Sequence, residues 1–496
     1  MEIKSPSNLS IKKRLSFLMK DTALYGGAAA FSKAFALITF PVLARYFSVE
    51  DYGLIDYFNV LSALAGTFFI FGQDSAVARY FYEYEDTEKR RQVISQSVFF
   101  QLGMLLILIP LLWASIDLIA PQLSNSVNTV VLLKLILLRV PFMVMINFSQ
   151  NLLKWTFNRM RFLIISIGSV IMNVGLILIA IFYFEIDVTG VFMVSLISSV
   201  IFGLLGIWFI RKWLIIPVKF YYLKRLLKYG LPLGFIGIMA SFVPAVERNI
   251  VTKMLGSYDL GLYAAGTKIA LLVMLVVQAF QMSWGPFSLA IYKQPDAAST
   301  YNWVLKIFTI VMCVFVLILS SIANPVIVFL ASEDYSGASI VVFPIAMGLV
   351  IKAISWITEV GISLSKKSYL NFYGQLAYFI VTILAIYVLA PVLGLLGIAF
   401  GVMIGHIVNA IIASSLAQRA YTLPWAYKST FFIVLITTIL GVFGVYKFVD
   451  FTTFSIYYYI LSILIILSLG WILLLNKTER IKFINILSFK NQSLRK

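Results

Sequence analysis

Fourteen apolar stretches of helix length, the first at about 21–47 and the last at about 455–475, run along the chain with short connections between them. A run of about 18 or more apolar residues is long enough to cross the hydrocarbon core of a bilayer as a helix. The composition agrees, with 61% hydrophobic and 12% charged residues, against roughly 25% charged in a soluble domain. The expected fold is an all-α integral membrane protein of about 14 transmembrane helices.

Charge tests that count. On one side of the proposed spans fall 28 of the 39 Lys and Arg residues, including Lys12, Lys13 and Arg14, Lys89 to Arg91, and Lys224, Arg225 and Lys228. The opposite connections, such as 114–128, 185–188, 323–336 and 449–454, contain none. By the positive-inside rule both termini are expected in the cytoplasm. A wrong helix count would scramble this sorting, so an even number is favoured. The basic stretch before Asp21 feeds a run too long for a signal peptide, and residues 9–20 read as a basic amphipathic helix on the membrane surface. The outer connections are short, so no soluble domain is expected between the spans. The net charge of +18 thus sorts to one membrane face, and no nucleic-acid partner is expected.

The sequence also echoes itself. Residues 45–54, RYFSVEDYGL, and 253–262, KMLGSYDLGL, align at a constant offset of 208. Arg45 matches Lys253, Asp51 matches Asp259, Gly53 matches Gly261 and Leu54 matches Leu262. Both read as one helix–turn–helix hairpin used twice. The expected organisation is a basic segment 1–20, a six-helix bundle 21–210, a basic linker 211–228 and a second six-helix bundle 229–419. Two additional helices within 428–475 and a basic tail 476–496 complete it. Six crossings per bundle return the chain to the same side, making a parallel pseudo-repeat around a central cavity.

Eleven cations remain inside or at the ends of spans. Snorkelling to the interface suffices for Arg45, Arg79, Lys134, Lys253, Lys306 and Lys447. Lys33, Arg139, Lys268 and Lys352 lie deeper, where each would cost about 3 kcal/mol facing lipid. They are expected to face a shared cavity; the alternative is a set of buried ion pairs with helix neighbours. Helical phase favours the cavity. Lys352, Ser355, Trp356, Glu359 and Ser363 fall on one stripe, and Arg139 aligns with Gln150. Tyr263, Thr267, Gln278 and Gln281 align with Lys268 at their edge.

The deep acids Asp74, Glu247 and Glu359 are fewer than the deep cations. Such an interior suits an anionic passenger, phosphate most naturally. Candidate passenger contacts are therefore Lys33, Arg139, Arg248, Lys268 and Lys352, with Asp74, Glu247 or Glu359 available to couple transport to H⁺ or Na⁺. Tyr25, Tyr263, Trp284 and Trp356 suit stacking on sugar faces, or ordinary packing. Cys313 is the one cysteine and His406 the one histidine, which excludes an internal disulfide and a multi-His metal site. No nucleophile–base arrangement, phosphate loop or metal-ligand spacing occurs, so neither an enzyme nor a cofactor is expected.

Four stretches carry a family resemblance: ARYFSVEDYGLIDYFNV, SAVARYFYEYEDTEKRRQ, Glu247-Arg248 and LGSYDLGLYAAGTKI. To about residue 420 the chain resembles the bacterial polysaccharide-repeat flippases, the Wzx-type O-antigen and capsule transporters. Where that family commonly carries Asp-Arg in the seventh helix, this chain has Glu-Arg. The resemblance implies the fold of the multidrug, oligosaccharidyl-lipid and polysaccharide exporter superfamily, two six-helix bundles in a V. It implies a flippase carrying undecaprenyl-pyrophosphate-linked oligosaccharide to the periplasmic leaflet of the bacterial inner membrane by alternating access. The implied partners are that lipid-linked oligosaccharide, membrane lipids, a polysaccharide polymerase and a chain-length regulator. The last two helices resemble those that help form a groove for the prenyl tail, and Arg248 would stand at the outer end of the passenger's path. The alternatives are a lipid II flippase, a drug or metabolite antiporter of the same fold, and a membrane polysaccharide polymerase or ligase. An antiporter of cationic drugs would want the opposite charge. A polymerase or ligase usually carries a sizeable outer loop, which this chain lacks.

Overall fold

The computed structural model describes residues 24, 27, 28, 31, 35, 38–124, 128–217, 219–365, 367, 369–447, 452–475, 479 and 480. Lys33, the basic segment 1–20 and nearly all of the basic tail lie outside the described residues. Among those described, thirteen helical segments are long and apolar enough to cross a membrane. They coincide one for one with the second to fourteenth expected spans; the first lies largely outside the described residues. In hydrocarbon a helix satisfies its backbone polar groups within the segment, which is why runs this apolar fold this way. The protein is a multi-span, all-α membrane protein.

The chain divides into two compact units, 1–264 and 265–496. In the first, a helical stretch ending at Tyr46 is followed by α1 (Val49–Ile70), α2 (Gln73–Glu83), α3 (Thr87–Ala114), α4 (Ile116–Leu123), α5 (Thr129–Trp155), α6 (Arg159–Phe184), α7 (Val188–Ile210) and α8 (Leu223–Met254). Polar residues stop and start these helices where the apolar runs break. The Ser48 hydroxyl accepts from the Asp51 amide at 3.1 Å, and Asp86 and Asp187 cap α3 and α7. Helix α8, the seventh expected span, packs on α1 within this unit.

The second expected span is broken. The 53–82 run divides at Phe71-Gly72, both with positive φ, where Gly72 meets α8 at Gly230 and Gly234. A Cβ at Gly72 would overlap the Gly230 carbonyl, so no larger residue fits between these backbones. The break puts Asp74 in the first turn of a new helix, where the helix dipole favours a carboxylate. Asp74 thereby has a structural reason to sit deep in the chain.

Helix α9 (Ser257–Ala270) spans the unit boundary, and α10 (Val273–Ile291) continues it after a turn, so the eighth expected span is also two helices. The second unit goes on with α11 (Ala297–Ser321), α12 (Ala323–Leu330), α13 (Ser339–Thr358), α14 (Val360–Leu364), α15 (Leu370–Leu393), α16 (Leu395–Ala420), α17 (Tyr427–Lys447) and α18 (Thr453–Leu469). Helices α15 and α16 form a close pair because Gly397, Gly401 and Gly405 line one face of α16. The last two helices, α17 and α18, pack on α11. There Tyr459 and Ser320 hydroxyls lie 3.1 Å apart, and Lys306 pairs with Glu479 at 2.9 Å. Snorkelling was the expectation for Lys306. Instead it is buried, because a carboxylate just past α18 meets it within the protein.

Candidate functional site

In the first unit, α1, α5, α6 and α7 and the helix before α1 wall a cavity of about 500 Å³. Its lining is unusually polar for a membrane interior, with Asn59, Asn147, Gln150 and Asn173 among hydroxyl residues. Among the described residues, Arg139 is its one ionisable lining residue. Arg139 Nε donates to Ser199 Oγ at 2.9 Å, and that hydroxyl donates in turn to the Ser195 carbonyl at 2.8 Å. No carboxylate pairs with Arg139 among the described residues. The phase that aligned Arg139 with Gln150 in the sequence thus puts both on one cavity wall.

Arg248 has a different setting. It is 5% exposed, on α8, with Nε bonded to Asp56 of α1 at 3.1 Å and its terminal nitrogen to Glu247 at 3.0 Å. Tyr263 closes the cluster: its hydroxyl donates to Glu247 at 3.0 Å, and its ring lies under the guanidinium at 5.1 Å. Beside it, Asn249 donates to the Tyr57 hydroxyl and to the Gln122 carbonyl, each at 3.0 Å. This network fastens α8 and the start of α9 to α1. A passenger at Arg248 would first have to break both carboxylate bonds.

The second unit brings together the stripe on α13. Lys352 donates to Glu359 at 2.9 Å and to Asn409 of α16 at 2.7 Å, and lies over the Trp356 ring at 5.8 Å. Ser355 donates to the same Glu359 oxygen at 2.7 Å. Glu359 stands at the joint between α13 and α14 and lines a cavity of about 280 Å³ with Trp284, Trp356, Ser288 and Asn371. Lys268, in the last turn of α9, is half-buried and engaged with a neighbour. A separate groove of about 880 Å³ runs between α13, α16 and α17. Ile351, Ile407, Ile411 and Phe431 make its walls apolar, while Arg419 and Lys428 stand at one end.

Comparison with known proteins places this architecture. A family model described as "Polysaccharide biosynthesis protein" matches residues 18–289, more than half of the chain. The chain belongs to the polysaccharide biosynthesis protein family. This family member is 23% identical over 282 residues to an uncharacterized membrane protein of Haemophilus influenzae, a match covering 56% of the chain and 66% of the relative. The chain thus spans just under two thirds of that relative's length. It is also 23% identical over 339 residues to a Lsg locus protein of the same organism, covering 64% of the chain and 78% of the relative. Among solved structures it resembles the lipid II flippase MurJ in an inward closed conformation, with a TM-score of 0.70, 20% identity and coverage of 90% of this chain and 98% of that one. An inward-facing multidrug MATE transporter of the MOP superfamily aligns with a TM-score of 0.62 at 16% identity, covering 84% and 96%. At such identities the likeness is one of fold.

In this polysaccharide biosynthesis protein Lys352, one of the four deep cations, and Arg248 both have carboxylate partners. Sequence reasoning missed Asp56, the buried partner of Arg248. Its signal was an acid inside the second apolar run with no cation beside it in its own helix. The Lys352–Glu359 pair carries a direct test. Lys352→Met removes an ammonium from a carboxylate that is 13% exposed, and an unsatisfied buried polar group costs about 1–3 kcal/mol. Thermal unfolding of Lys352→Met, Glu359→Gln and the double variant is expected to show a coupling of about 0.5–3 kcal/mol. Simple additivity would mean the two side chains do not act as a pair.

Proposed function

We propose that this family member is a flippase for lipid-linked polysaccharide repeat units, moving undecaprenyl-pyrophosphate-linked oligosaccharide from the cytoplasmic to the periplasmic leaflet of a bacterial inner membrane. The observation that carries the reading is the groove of the second unit, apolar along α13, α16 and α17 and basic at one end. A prenyl chain requires such a wall. Its phosphates require cations such as Arg419 and Lys428, which bind oxyanions through charge-assisted hydrogen bonds. Family membership and the transporter fold support a carrier over a polymerase or ligase, and the shortage of unpaired deep acids disfavours a cationic drug as cargo. Coupling to H⁺ or Na⁺ enters through Glu359, from which a bound cation would have to displace Lys352.

The test is translocation of a fluorescent lipid-linked oligosaccharide in proteoliposomes. Ile411→Glu and Phe431→Glu put a charge on the groove wall and are expected to abolish transport while the purified protein keeps its monodisperse profile. Transport at the wild-type rate in both variants sinks the groove assignment. A lipid II flippase fits the same groove, so lipid II is the competing substrate in the assay. Faster movement of lipid II than of the oligosaccharide lipid replaces the first reading with the second.

A further inference from the structure

In the first unit, the outer wall of α6 and α7 ends in a basic corner that the flippase reading does not use. Along α7, Met193, Ile197, Ile201, Leu204 and Trp208 are exposed and follow one another at three or four residues. That spacing puts them on a single stripe of the helix. On α6, which packs along α7, Ile164 and Ile171 are exposed too. In a membrane-spanning chain such a stripe meets acyl chains. Its end is charged. Arg211 stands one turn beyond Trp208, with its guanidinium over that indole at 5.3 Å. Arg161, at the start of α6, reaches across to the end of α7. It donates to the Phe209 carbonyl at 3.3 Å and lies over the Phe209 ring at 5.2 Å. Two guanidiniums are thus seated on consecutive aromatic residues.

This corner differs from the other basic ends in its lack of protein acceptors. Arg91 pairs with Glu88 at 3.2 Å, Arg90 donates to the Tyr84 carbonyl at 2.6 Å, and Arg225 donates to the hydroxyls of Tyr84 and Tyr221. Among the described residues, the Arg211 side chain has no hydrogen-bond partner and Arg161 has the one carbonyl. No Asp or Glu occurs in 156–170 or 201–228. Seating on a ring holds a guanidinium without consuming its N–H groups, which remain to bind phosphate oxygens. The positive-inside rule accounts for cations at this end. It does not require them to lack acceptors, to sit on rings or to close an apolar stripe.

A ligand that fits both parts has acyl chains and a phosphate. With no acid in the corner, nothing receives the ammonium of a zwitterionic head group, so the fit is to an anionic one. We propose that this corner binds an anionic phospholipid of the leaflet expected to face the cytoplasm, its phosphate on Arg161 and Arg211 and its chains along α7.

The test mixes delipidated full-length protein in detergent with dioleoyl phosphatidylglycerol or dioleoyl phosphatidylcholine, and bound lipid is counted by native mass spectrometry. Phosphatidylglycerol is expected to bind at least about tenfold more tightly, since each basic residue near an anionic surface contributes roughly fivefold. The double variant Arg161→Gln, Arg211→Gln is expected to lose that preference. Lys224→Gln with Lys228→Gln removes the same charge from the start of α8 and is expected to keep it. Trp208→Leu keeps the apolar stripe without the ring and is expected to weaken phosphatidylglycerol alone, severalfold. Equal binding of the two lipids overturns the proposal. Equal loss in the two double variants also overturns it, because bulk charge then suffices. Displacement by millimolar inorganic phosphate would make the corner a general anion site, and preferential displacement by a prenyl diphosphate would give it to the passenger; either result overturns the assignment.

Discussion

Arg248→Ala is expected to remove most of the folded protein from the membrane. The substitution leaves Asp56 and Glu247 facing each other in a site where each residue is 5% exposed. Removing one partner of a buried ion pair costs about 3–5 kcal/mol, because the remaining charge stays desolvated, against a typical total stability of about 5–15 kcal/mol. Arg248→Lys keeps the charge but not the fork that reaches two carboxylates from separate nitrogens, at 3.1 Å and 3.0 Å. It is expected to recover only part of the loss. The measurement is the amount of monodisperse protein recovered and its unfolding temperature in detergent. Wild-type values for Arg248→Ala would show that the cluster does not clamp α8 to α1.

The cluster also separates clamping from transport. Replacing all three charges together, Asp56→Leu, Glu247→Leu and Arg248→Met, removes the desolvation cost with the pair. Such exchanges are often neutral or stabilising by about 1–4 kcal/mol. If Arg248 only fastens helices, the triple variant folds and still transports. If it contacts the passenger, the triple variant folds and does not. The two readings of Arg248 therefore diverge on one variant.

What was legible in the sequence follows from the range of the forces involved. Thirteen spans could be read because apolar runs dictate helices locally, whatever packs around them. The stripe on α13 was legible because Lys352, Ser355 and Glu359 share a helix, and helical phase alone puts them on one face. Partners on other helices were not. Asp56 and Arg248 are 192 residues apart, and nothing in either local sequence names the other. Nor does the pattern of apolar residues reveal the break at Gly72, which close backbone packing against Gly230 and Gly234 imposes. Arg139 was legible as a deep cation. Lys352 has its acid from its own stripe, whereas the partner of Arg139 is Ser199 on α7, which the sequence around Arg139 does not name.

The internal echo shows how far a local pattern can reach. Gly53 and Gly261, equivalent positions in the two hairpin copies, lie against each other in the first unit. A Cβ added at Gly53 would sit 2.6 Å from the Gly261 amide nitrogen, and one added at Gly261 would overlap the Val49 carbonyl oxygen. Both obstacles are backbone, which cannot rotate aside as a side chain can. The shared glycine therefore reflects a contact between the copies, beyond a turn that each forms alone. Overpacking typically costs about 1–3 kcal/mol and sometimes more, and here it would also pry apart the seam that the Arg248 cluster closes. Gly261→Val is accordingly expected to lower the unfolding temperature well below that of Gly256→Ala, a change where a Cβ meets nothing within 4 Å. Positive φ at Gly256 (105°) adds backbone strain to that control, so it already sets a demanding baseline. Combining Gly261→Val with Arg248→Ala should cost less than the sum of the two, since both loosen one seam. Strict additivity would mean that the glycine contact and the charge cluster stabilise different parts of the first unit.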